Sequence, residues 1–203
     1  MSYGAGARLE GVERVEAGLP EPFGTLARLG DEGWRDFRAS AGSVFHRLIP
    51  ADVHEAYAAL SGLAGTAGSF LELGSGLGVI TIMADLLGFE AYGIEIEPEL
   101  VTLSEDLATG LSSSATFVEG SFVPPDYRDE VTLLDGDFLT ITEGADAYAD
   151  LGLELADFDL VYAYPWPGEE SWMDELVARY AGPRTRLLTY SPSEGFTVAS
   201  AAR

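Results

Sequence analysis

Short apolar runs recur along this chain, and between them apolar residues return every three or four positions. The runs occupy residues 69–73, 91–94, 115–119, 159–163 and 186–190. Runs this short are typical of strands that are buried on both faces of a parallel sheet. The helical spacing fills residues 77–87, 99–109 and 171–181. The alternation predicts an α/β fold with a doubly wound, mostly parallel, Rossmann-like sheet.

The segment ahead of this alternation is patterned differently. Residues 34–47 and 53–63 have helical spacing, and Asp52 is placed to cap the second helix. We therefore expect residues 1–64 to form a helical N-terminal extension, with an arm or lid helix around residues 12–17. The extension and the α/β core together predict a single domain over the 203 residues.

The carboxyl-terminal part of the pattern is short. Only 13 residues follow the fifth run, and of these only residues 195–201 favour one last strand. Residues 65–203 thus predict an α/β core with a shortened C-terminal end, which leaves one sheet edge short and the substrate side open. We hypothesise that a second copy of the chain covers that edge, so that the protein is a homo-oligomer. Residues 124–156 predict an insertion that carries a short strand at residues 131–134.

Composition narrows the chemistry. The chain has no cysteine and two histidines, which excludes disulfides and thiolate sites and leaves too few ligands for a histidine-rich metal site. The net charge is −23, so repulsion by phosphate disfavours nucleic acid and favours a neutral or cationic small molecule as substrate. The preferred interpretation of the acidity is nevertheless adaptation to a salty cytoplasm or a GC-rich genome, because net charge mainly governs solubility and nonspecific binding. There is no run of about 18 apolar residues and no signal-peptide core, so we expect a cytoplasmic protein without a membrane span.

A glycine-rich turn follows the first predicted strand. Gly74, Gly76 and Gly78 stand at every second position, and Glu95 ends the second predicted strand 21 residues after Gly74. Glycine adopts positive φ and lets a ligand touch the backbone, and such a turn brings backbone N–H groups and a helix N-terminus up to the ligand. An acid about 20 residues beyond the turn is placed to accept hydrogen bonds from ribose hydroxyls. The unit predicts a nucleotide-sized pocket at the carboxyl ends of parallel strands.

The spacing also indicates which ligand. A dinucleotide-binding turn would have a small residue where this chain has Val79. The string ELGSGLG, from Glu72 to Gly78, instead resembles motif I of the class I S-adenosylmethionine-dependent methyltransferases, and GIEIEPELV resembles its usual continuation. The resemblance implies S-adenosyl-L-methionine as cofactor. It implies that the turn, including Ser75, embraces the methionine half, that Glu72 helps to hold the amino group, and that Glu95 takes the ribose.

The resemblance places the adenine after the third predicted strand. Gly120, Ser121 and Phe122 stand there, with Ser121 where the family usually has an Asp that binds the adenine amino group. Ile96, next to the ribose-binding acid, belongs to the same part of the cofactor site. Asp137, in the sequence DGDF, is the alternative, but it lies 42 residues after that acid. We prefer Ser121, whose hydroxyl can accept a hydrogen bond.

The loop after the fourth predicted strand holds the catalytic position of the family. Its sequence YPWP shares the prolines and aromatic residues of amino-methyltransferases but lacks their leading Asn or Asp, so the resemblance does not carry amine chemistry with it. We assign Tyr164 to orienting the acceptor and Trp166 to a cation–π contact with the sulfonium. Glu169 or Glu170 would deprotonate the acceptor. The alternative for Trp166 is a core plug, and for the two acids a favourable place in the first turn of a helix.

Helices ahead of the glycine turn cover the cofactor and line the substrate pocket in many members of the family. In this chain the resemblance implies that role for Phe45, His46, Arg47 and Tyr57. For Tyr57 and His54 taken singly, ordinary packing or a surface position is the preferred interpretation.

These features together predict an S-adenosylmethionine-dependent methyltransferase that acts on a small molecule or a protein side chain. Two alternatives stay open. One is an enzyme resembling aminopropyl transferases, with the same fold and another adenosyl donor. The other is a noncatalytic protein that binds the cofactor or a partner. The fold by itself does not separate these three functions.

Overall fold

The computed structural model of the chain describes residues 7–8, 18–40, 50–132, 140 and 143–200. The strands are β1 (Ala7–Arg8), β2 (Ser69–Leu73), β3 (Glu90–Glu95), β4 (Thr116–Glu119), β5 (Leu160–Ala163), β6 (Arg186–Ser191) and β7 (Gly195–Ser200). The helices are α1 (Phe23–Ser40), α2 (Val53–Leu63), α3 (Val79–Leu86), α4 (Pro98–Gly110), α5 (Pro125–Thr132), α6 (Ala147–Leu151) and α7 (Glu170–Tyr180). No helix within these ranges has the length and apolar character needed to cross a membrane.

The strands form one sheet in the order β1-β7-β6-β5-β2-β3-β4. The five strands from β2 to β6 pair in parallel, with Phe70 opposite Leu160 and Glu95 opposite Glu119 as examples of the register. Strand β7 pairs antiparallel with β6, and β1 pairs antiparallel with β7. The predicted doubly wound, mostly parallel α/β fold is confirmed.

Each face of the sheet has its own apolar core, because successive residues of a strand point to opposite faces. Phe70 and Leu160 pack with α2 and α3 on one face, whereas Leu71 and Val161 pack with α7 on the other. Glu72 shares the face of Phe70. Its carboxyl group therefore meets α3, and this position determines its hydrogen bonds in the site.

Helix α2 is confirmed with its predicted cap. Oδ1 of Asp52 accepts the amides of His54 at 2.9 Å and Glu55 at 3.1 Å, which satisfies two of the donors that a helix start leaves without partners. The helix ends at Leu63, and Ala64 follows as its C-terminal cap.

Helix α1 begins earlier than its pattern predicts. The helical spacing predicts a helix over residues 34–47, whereas α1 runs over Phe23–Ser40, and residues 41–49 lie outside the described ranges. Glycine disfavours a helix interior, and the glycines of this segment obscure its first half. Gly30 lies against the start of α3, where an added Cβ would be 2.7 Å from Val79. Close packing on α3 therefore overrides the low propensity.

Two further predictions concern segments away from the strands. The strand predicted at residues 131–134 is wrong at its first two positions, which belong to α5, and residues 133–139 lie outside the described ranges. Pro125 suits the first turn of a helix and Asp126 favours its positive end, so these start signals outweigh the apolar run. The lid helix predicted around residues 12–17 also lies outside the described ranges.

The sheet edge beside β6 is longer than predicted. The chain turns from β6 into β7 by a hairpin in which Ser191 pairs with Gly195, which confirms the predicted last strand. Strand β1 then pairs with β7, with Ala7 opposite Val198. The edge is therefore not left short, because the extension that was predicted to be helical also contributes a strand. The homo-oligomer stays a prediction.

Gly78 tests how closely the glycine turn packs against Phe117 of β4. Its φ is +68°, and an added Cβ would lie 2.5 Å from the ring of Phe117. We expect Gly78→Ala to lower the free energy of unfolding by about 2–4 kcal/mol, since left-handed backbone costs about 1–2 kcal/mol and overpacking about 1–3 kcal/mol. Urea unfolding followed by circular dichroism measures the change.

The matched control is Gly62→Ala, at an open position in α2 where an added Cβ meets nothing within 4 Å. This variant should raise stability by about 0.5–1 kcal/mol, the difference between Ala and Gly in a helix. A Gly78→Ala variant as stable as the wild type would contradict the packing described.

Candidate active site

A cleft opens at the carboxyl ends of strands β2 to β5, the edge at which parallel sheets bind ligands. Its volume is about 770 Å³, and pockets for small molecules measure about 300–1,000 Å³. The lining comes from the glycine turn, the ends of β2 and β3, the residues after β4, the loop after β5, and α1. Among the described residues, no group of three or more His, Asp or Glu side chains is placed to hold a metal ion.

The glycine turn has the predicted backbone but a different set of contacts. The φ angles of Gly74, Gly76 and Gly78 are +77°, +55° and +68°. The amides of Gly74 and Ser75 both donate to the carbonyl of Ile94 at 2.9 Å, and the amide of Gly78 donates to the carbonyl of Ser75 at 2.8 Å. These three amides are therefore used within the protein, and the prediction that the turn and the start of α3 present N–H groups to the ligand stays a prediction. The turn offers a backbone surface without side chains at its glycines.

Glu95 joins this turn to the end of β3. Oε2 accepts the amide of Gly76 at 2.7 Å, and Oε1 accepts the amides of Ile96 at 2.8 Å and Glu97 at 3.0 Å. A carboxylate has about four acceptor positions, so one position on Oε2 remains for a ribose hydroxyl. Burial raises the pKa of Glu95 above its usual value, although the three backbone hydrogen bonds act in the opposite direction.

Glu72 lies near the end of β2 and lines the same cleft. Oε2 accepts the amide of Thr81 at 2.9 Å and its hydroxyl at 2.5 Å, whereas Oε1 has no hydrogen-bond partner among the described residues. Burial raises the pKa of Glu72 to about 8, with a smaller contribution from the charge of Glu95 and with the Thr81 bonds acting against it. Glu72 is therefore mostly protonated at neutral pH. A cationic ligand group beside it would favour the ionised form.

Ser75 has the unsatisfied polar group of the turn. Its side chain is buried, and its hydroxyl has no hydrogen-bond partner among the described residues. The backbone of β3 approaches it closely, since a Cβ added to Gly93 would lie 2.8 Å from Ser75 Oγ. A buried hydroxyl without a partner costs about 1–3 kcal/mol.

The residues after β4 are held by backbone hydrogen bonds. The amide of Gly120 donates to the carbonyl of Glu95 at 2.9 Å, and the amide of Ser121 donates to the carbonyl of Ala145 at 2.9 Å. Oγ of Ser121 accepts the amide of Val123 at 3.1 Å. The described part of the insertion thus continues the wall of the cleft next to the end of β4.

Phe122 and Ile96 complete this side of the cleft. The ring of Phe122 lies over the glycine turn, where a Cβ added to Gly74 would be 3.8 Å away. Ile96 packs against the insertion, since a Cβ added to Gly144 would lie 2.9 Å from it. The structure thus brings all the predicted adenine-side residues to one cleft, except that the alternative, Asp137, lies outside the described ranges.

The loop after β5 brings aromatic side chains into the cleft. Tyr164 and Trp166 both line it, as does Tyr190 from β6. The rings of Tyr164 and Tyr190 meet edge to face, with centroids 5.0 Å apart and planes at 85°. Burial raises the pKa of Tyr164 above its usual value, so its hydroxyl stays protonated at neutral pH. The catalytic roles assigned to Tyr164 and Trp166 stay predictions.

The two acids at the start of α7 are placed differently. Glu169 is 4% exposed; its Oε1 accepts the amide of Thr140 at 3.1 Å, and its Oε2 accepts the hydroxyl of the same residue. Its side chain is held by the insertion and does not line the cleft. Glu170 does line the cleft, and its Oε2 accepts the amide of Gly168 at 2.8 Å. Of the two acids proposed as a base, Glu170 is therefore the one with access to a ligand.

Helix α1 covers the glycine turn, a function that the sequence did not reveal. The ring of Trp34 lies on Gly76, where an added Cβ would be 3.0 Å from it. Ala27, Gly30 and Asp31 of the same helix also line the cleft. A signal was present, because the buried positions 23, 26, 30, 34 and 37 are spaced by three and four residues. The glycine at position 30 interrupts the apolar pattern and obscures this spacing.

The residues that were expected to cover the cofactor differ from the described residues of α1 that cover the glycine turn. Phe45, His46 and Arg47 lie outside the described ranges. Tyr57 packs against Phe23, with ring centroids 4.7 Å apart, and does not line the cleft, so the packing interpretation is confirmed for this residue.

Comparison with known proteins gives the fold. No family model matches the sequence, and a search of curated proteins found no match. An RNA methyltransferase from Salinibacter ruber, solved in complex with S-adenosyl-L-homocysteine, is similar in structure with 19% identity and a TM-score of 0.50, over 74% of this chain and 91% of that one. A hypothetical protein of Thermus thermophilus is similar with 16% identity and a TM-score of 0.53, over 80% and 94% of the two chains. This chain has the class I methyltransferase fold, and identities this low show the fold alone.

The raised pKa of Glu72 makes folding depend on pH. The carboxyl group titrates near 4.5 in the unfolded chain and near 8 in the folded one. Folding therefore takes up a proton between these values, and stability decreases as the pH rises through that range. Glu72→Gln removes this titration, so we expect it to be more stable than the wild type by about 3 kcal/mol at pH 7.

Urea unfolding at pH 5, 6, 7 and 8 measures this difference, which should increase with pH. The control is Glu105→Gln, at an exposed position of α4, whose profile should run parallel to that of the wild type. If Glu72→Gln also runs parallel to the wild type, the carboxyl of Glu72 is ionised in the folded protein.

Proposed function

We propose that this protein is an S-adenosylmethionine-dependent methyltransferase that acts on a small molecule or a protein side chain. The observation that carries the proposal is the position of two buried acids, Glu72 and Glu95, on either side of the glycine turn in one cleft. The order of these groups in the sequence is that of motif I and its continuation. The fold supports the proposal, since one protein that shares it was solved with S-adenosyl-L-homocysteine.

The groups in the cleft fit this cofactor. The remaining acceptor position of Glu95 suits a ribose hydroxyl, and Oε1 of Glu72 suits the ammonium group of the methionine half. Ile96 and Phe122 provide apolar surface for a base, and stacking of a base on an aromatic ring is worth about 1–3 kcal/mol.

In this proposal the chain acts mainly by positioning. The bound cofactor would supply an electrophilic methyl group on a sulfonium. The glycine turn and Glu72 would hold its methionine half and Glu95 its ribose, and α1 would exclude water from it through Trp34. The loop after β5 would hold the acceptor in line with the methyl group, and such alignment accounts for a large part of the rate enhancement in group transfer. Glu170 is the acid we assign to accepting a proton from the acceptor.

Binding experiments test the proposal. We expect titration calorimetry to detect binding of S-adenosylmethionine and of S-adenosyl-L-homocysteine but no binding of NAD. Binding of NAD with no response to either adenosyl ligand would refute the proposal. Decarboxylated S-adenosylmethionine belongs in the same series, because preference for it would favour aminopropyl transfer. Release of labelled methyl to amine, phenol and carboxylate acceptors then separates an enzyme from a noncatalytic binding protein.

A substitution of Glu95 tests the ribose contact. Glu95→Ala removes a hydrogen bond to a charged group, which is worth about 1.5–3 kcal/mol, so we expect affinity for S-adenosyl-L-homocysteine to decrease by about 10- to 150-fold. Glu97→Ala is the matched control, because Glu97 is a nearby acid that does not line the cleft. Unchanged affinity in a folded Glu95→Ala variant would remove Glu95 from the cofactor site.

A further inference from the structure

The part of the cleft beyond the cofactor groups has aromatic walls. Tyr164, Trp166 and Tyr190 line it together. Tyr190 is held from behind by Phe196, with ring centroids 4.8 Å apart, and from the side by its edge-to-face contact with Tyr164. In an edge-to-face pair one ring presents its edge and keeps its own faces for other contacts, and a π-face attracts a cation within about 6 Å of its centroid.

Among the described residues that line the cleft, every side chain that can carry a charge is acidic. Four of the lining residues are acids, namely Asp31, Glu72, Glu95 and Glu170, of which Glu72 is mostly protonated at neutral pH. None of the described residues that line it is Arg or His. An anionic acceptor would therefore enter a field of its own sign without a cationic partner, whereas an ammonium group would be attracted.

Two of these acids are not among the residues assigned to the cofactor. Asp31 lies on α1 and Glu170 begins α7, and both side chains are exposed. One oxygen of Glu170 accepts the amide of Gly168, and the other has no hydrogen-bond partner among the described residues. Asp31 likewise has no side-chain partner among them. Both carboxylates are thus available to a ligand.

We propose that the acceptor subsite of this cleft binds a cationic amine of a small molecule, held by the rings of Tyr164, Trp166 and Tyr190 and by the carboxylate of Glu170, with Asp31 adding to the negative charge of the cleft. The proposal rests on the proposed function and names the substrate class of the same site. Its basis is the charge and the aromatic residues of the cleft. The loop motif is not its basis, because YPWP lacks the amide or carboxylate that leads this loop in amino-methyltransferases.

The chemistry of transfer balances for such an acceptor. The ammonium group first loses one proton, which the second oxygen of Glu170 is placed to accept. The nitrogen lone pair then forms the new N–C bond as the C–S bond breaks, and the electron pair of that bond remains on sulfur, which becomes a neutral thioether. No oxidant, reductant or metal is needed.

A matched pair of probes tests the recognition without a known substrate. Choline carries a quaternary ammonium and has no transferable N–H proton, and 3,3-dimethylbutanol has the same shape without the charge. Each is titrated into the protein saturated with S-adenosyl-L-homocysteine at constant ionic strength, and tryptophan fluorescence and calorimetry follow binding. We expect choline to bind at least about 10-fold more tightly, as a desolvated cation–π site would give. Equal affinity for the two probes would overturn the proposal.

Variants separate this subsite from the general acidity of the chain. Trp166→Leu and Glu170→Gln should each reduce the preference for choline by about fivefold or more while leaving the affinity for S-adenosyl-L-homocysteine nearly unchanged. Glu175→Gln is the control, because it removes one charge from an exposed position of the same helix outside the cleft. If all three variants keep the wild-type preference, the attraction comes from net charge and the proposal is wrong. Thermal melting confirms that each variant is folded.

The choline and 3,3-dimethylbutanol titrations are repeated on the protein without S-adenosyl-L-homocysteine. Together with the titrations of the adenosyl ligands, they distinguish failure of this proposal from failure of the proposed function. Binding of S-adenosyl-L-homocysteine without a preference for choline overturns the amine subsite and leaves the methyltransferase proposal intact. No binding of either adenosyl ligand overturns the methyltransferase proposal, and a preference for choline would then show a cation site with another purpose.

Discussion

The carboxylate of Glu95 connects the parts of the candidate site. It accepts one amide from the glycine turn and two from the residues that lead into α4. Because two chain segments donate to this one side chain, Glu95 fixes the turn on β3 together with the carbonyl of Ile94. The backbone carbonyl of the same residue accepts the amide of Gly120, which holds the end of β4 next to it. Every group assigned to the adenosyl part of a ligand is therefore positioned with reference to Glu95.

The second acid has a different physical character. Glu72 has a raised pKa because it is buried, and its partner on α3 satisfies only one of its two oxygens. A protein that only needed to fold would be more stable with an amide or an apolar residue at this position. Such a cost is typical of functional sites, where groups are kept for a ligand and not for the folded chain alone. Glu72 is in this respect the clearest indication that the cleft serves to bind something.

Much of the fold could be predicted from the sequence, since the apolar runs that form β2 to β6 and the Asp52 cap act locally. The glycine turn and its two acids were also recognisable, because their spacing follows directly from the strand–turn–helix unit. The direction of the turn amides was not, since it depends on how Ile94 and Glu95 approach the turn in three dimensions. The difference between Glu169 and Glu170 likewise depends on Thr140, which is distant in sequence. Edge strand β1 pairs across nearly the whole chain, and two residues give no local pattern.

The glycines of α1 also affect how fast a ligand can exchange. A helix with glycines at positions 24, 30 and 33 has a weak tendency to form by itself and depends on its contact with α3. Elements of this kind open locally at a lower free energy than a parallel sheet buried on both faces. A ligand that enters or leaves beside α1 would thus have a dissociation rate set by the unwinding or lifting of one helix, while the strands beneath it keep their hydrogen bonds. Substitutions in α1 would then change the residence time of the cofactor, whereas substitutions in the glycine turn or at Glu95 would change the strength of its contacts.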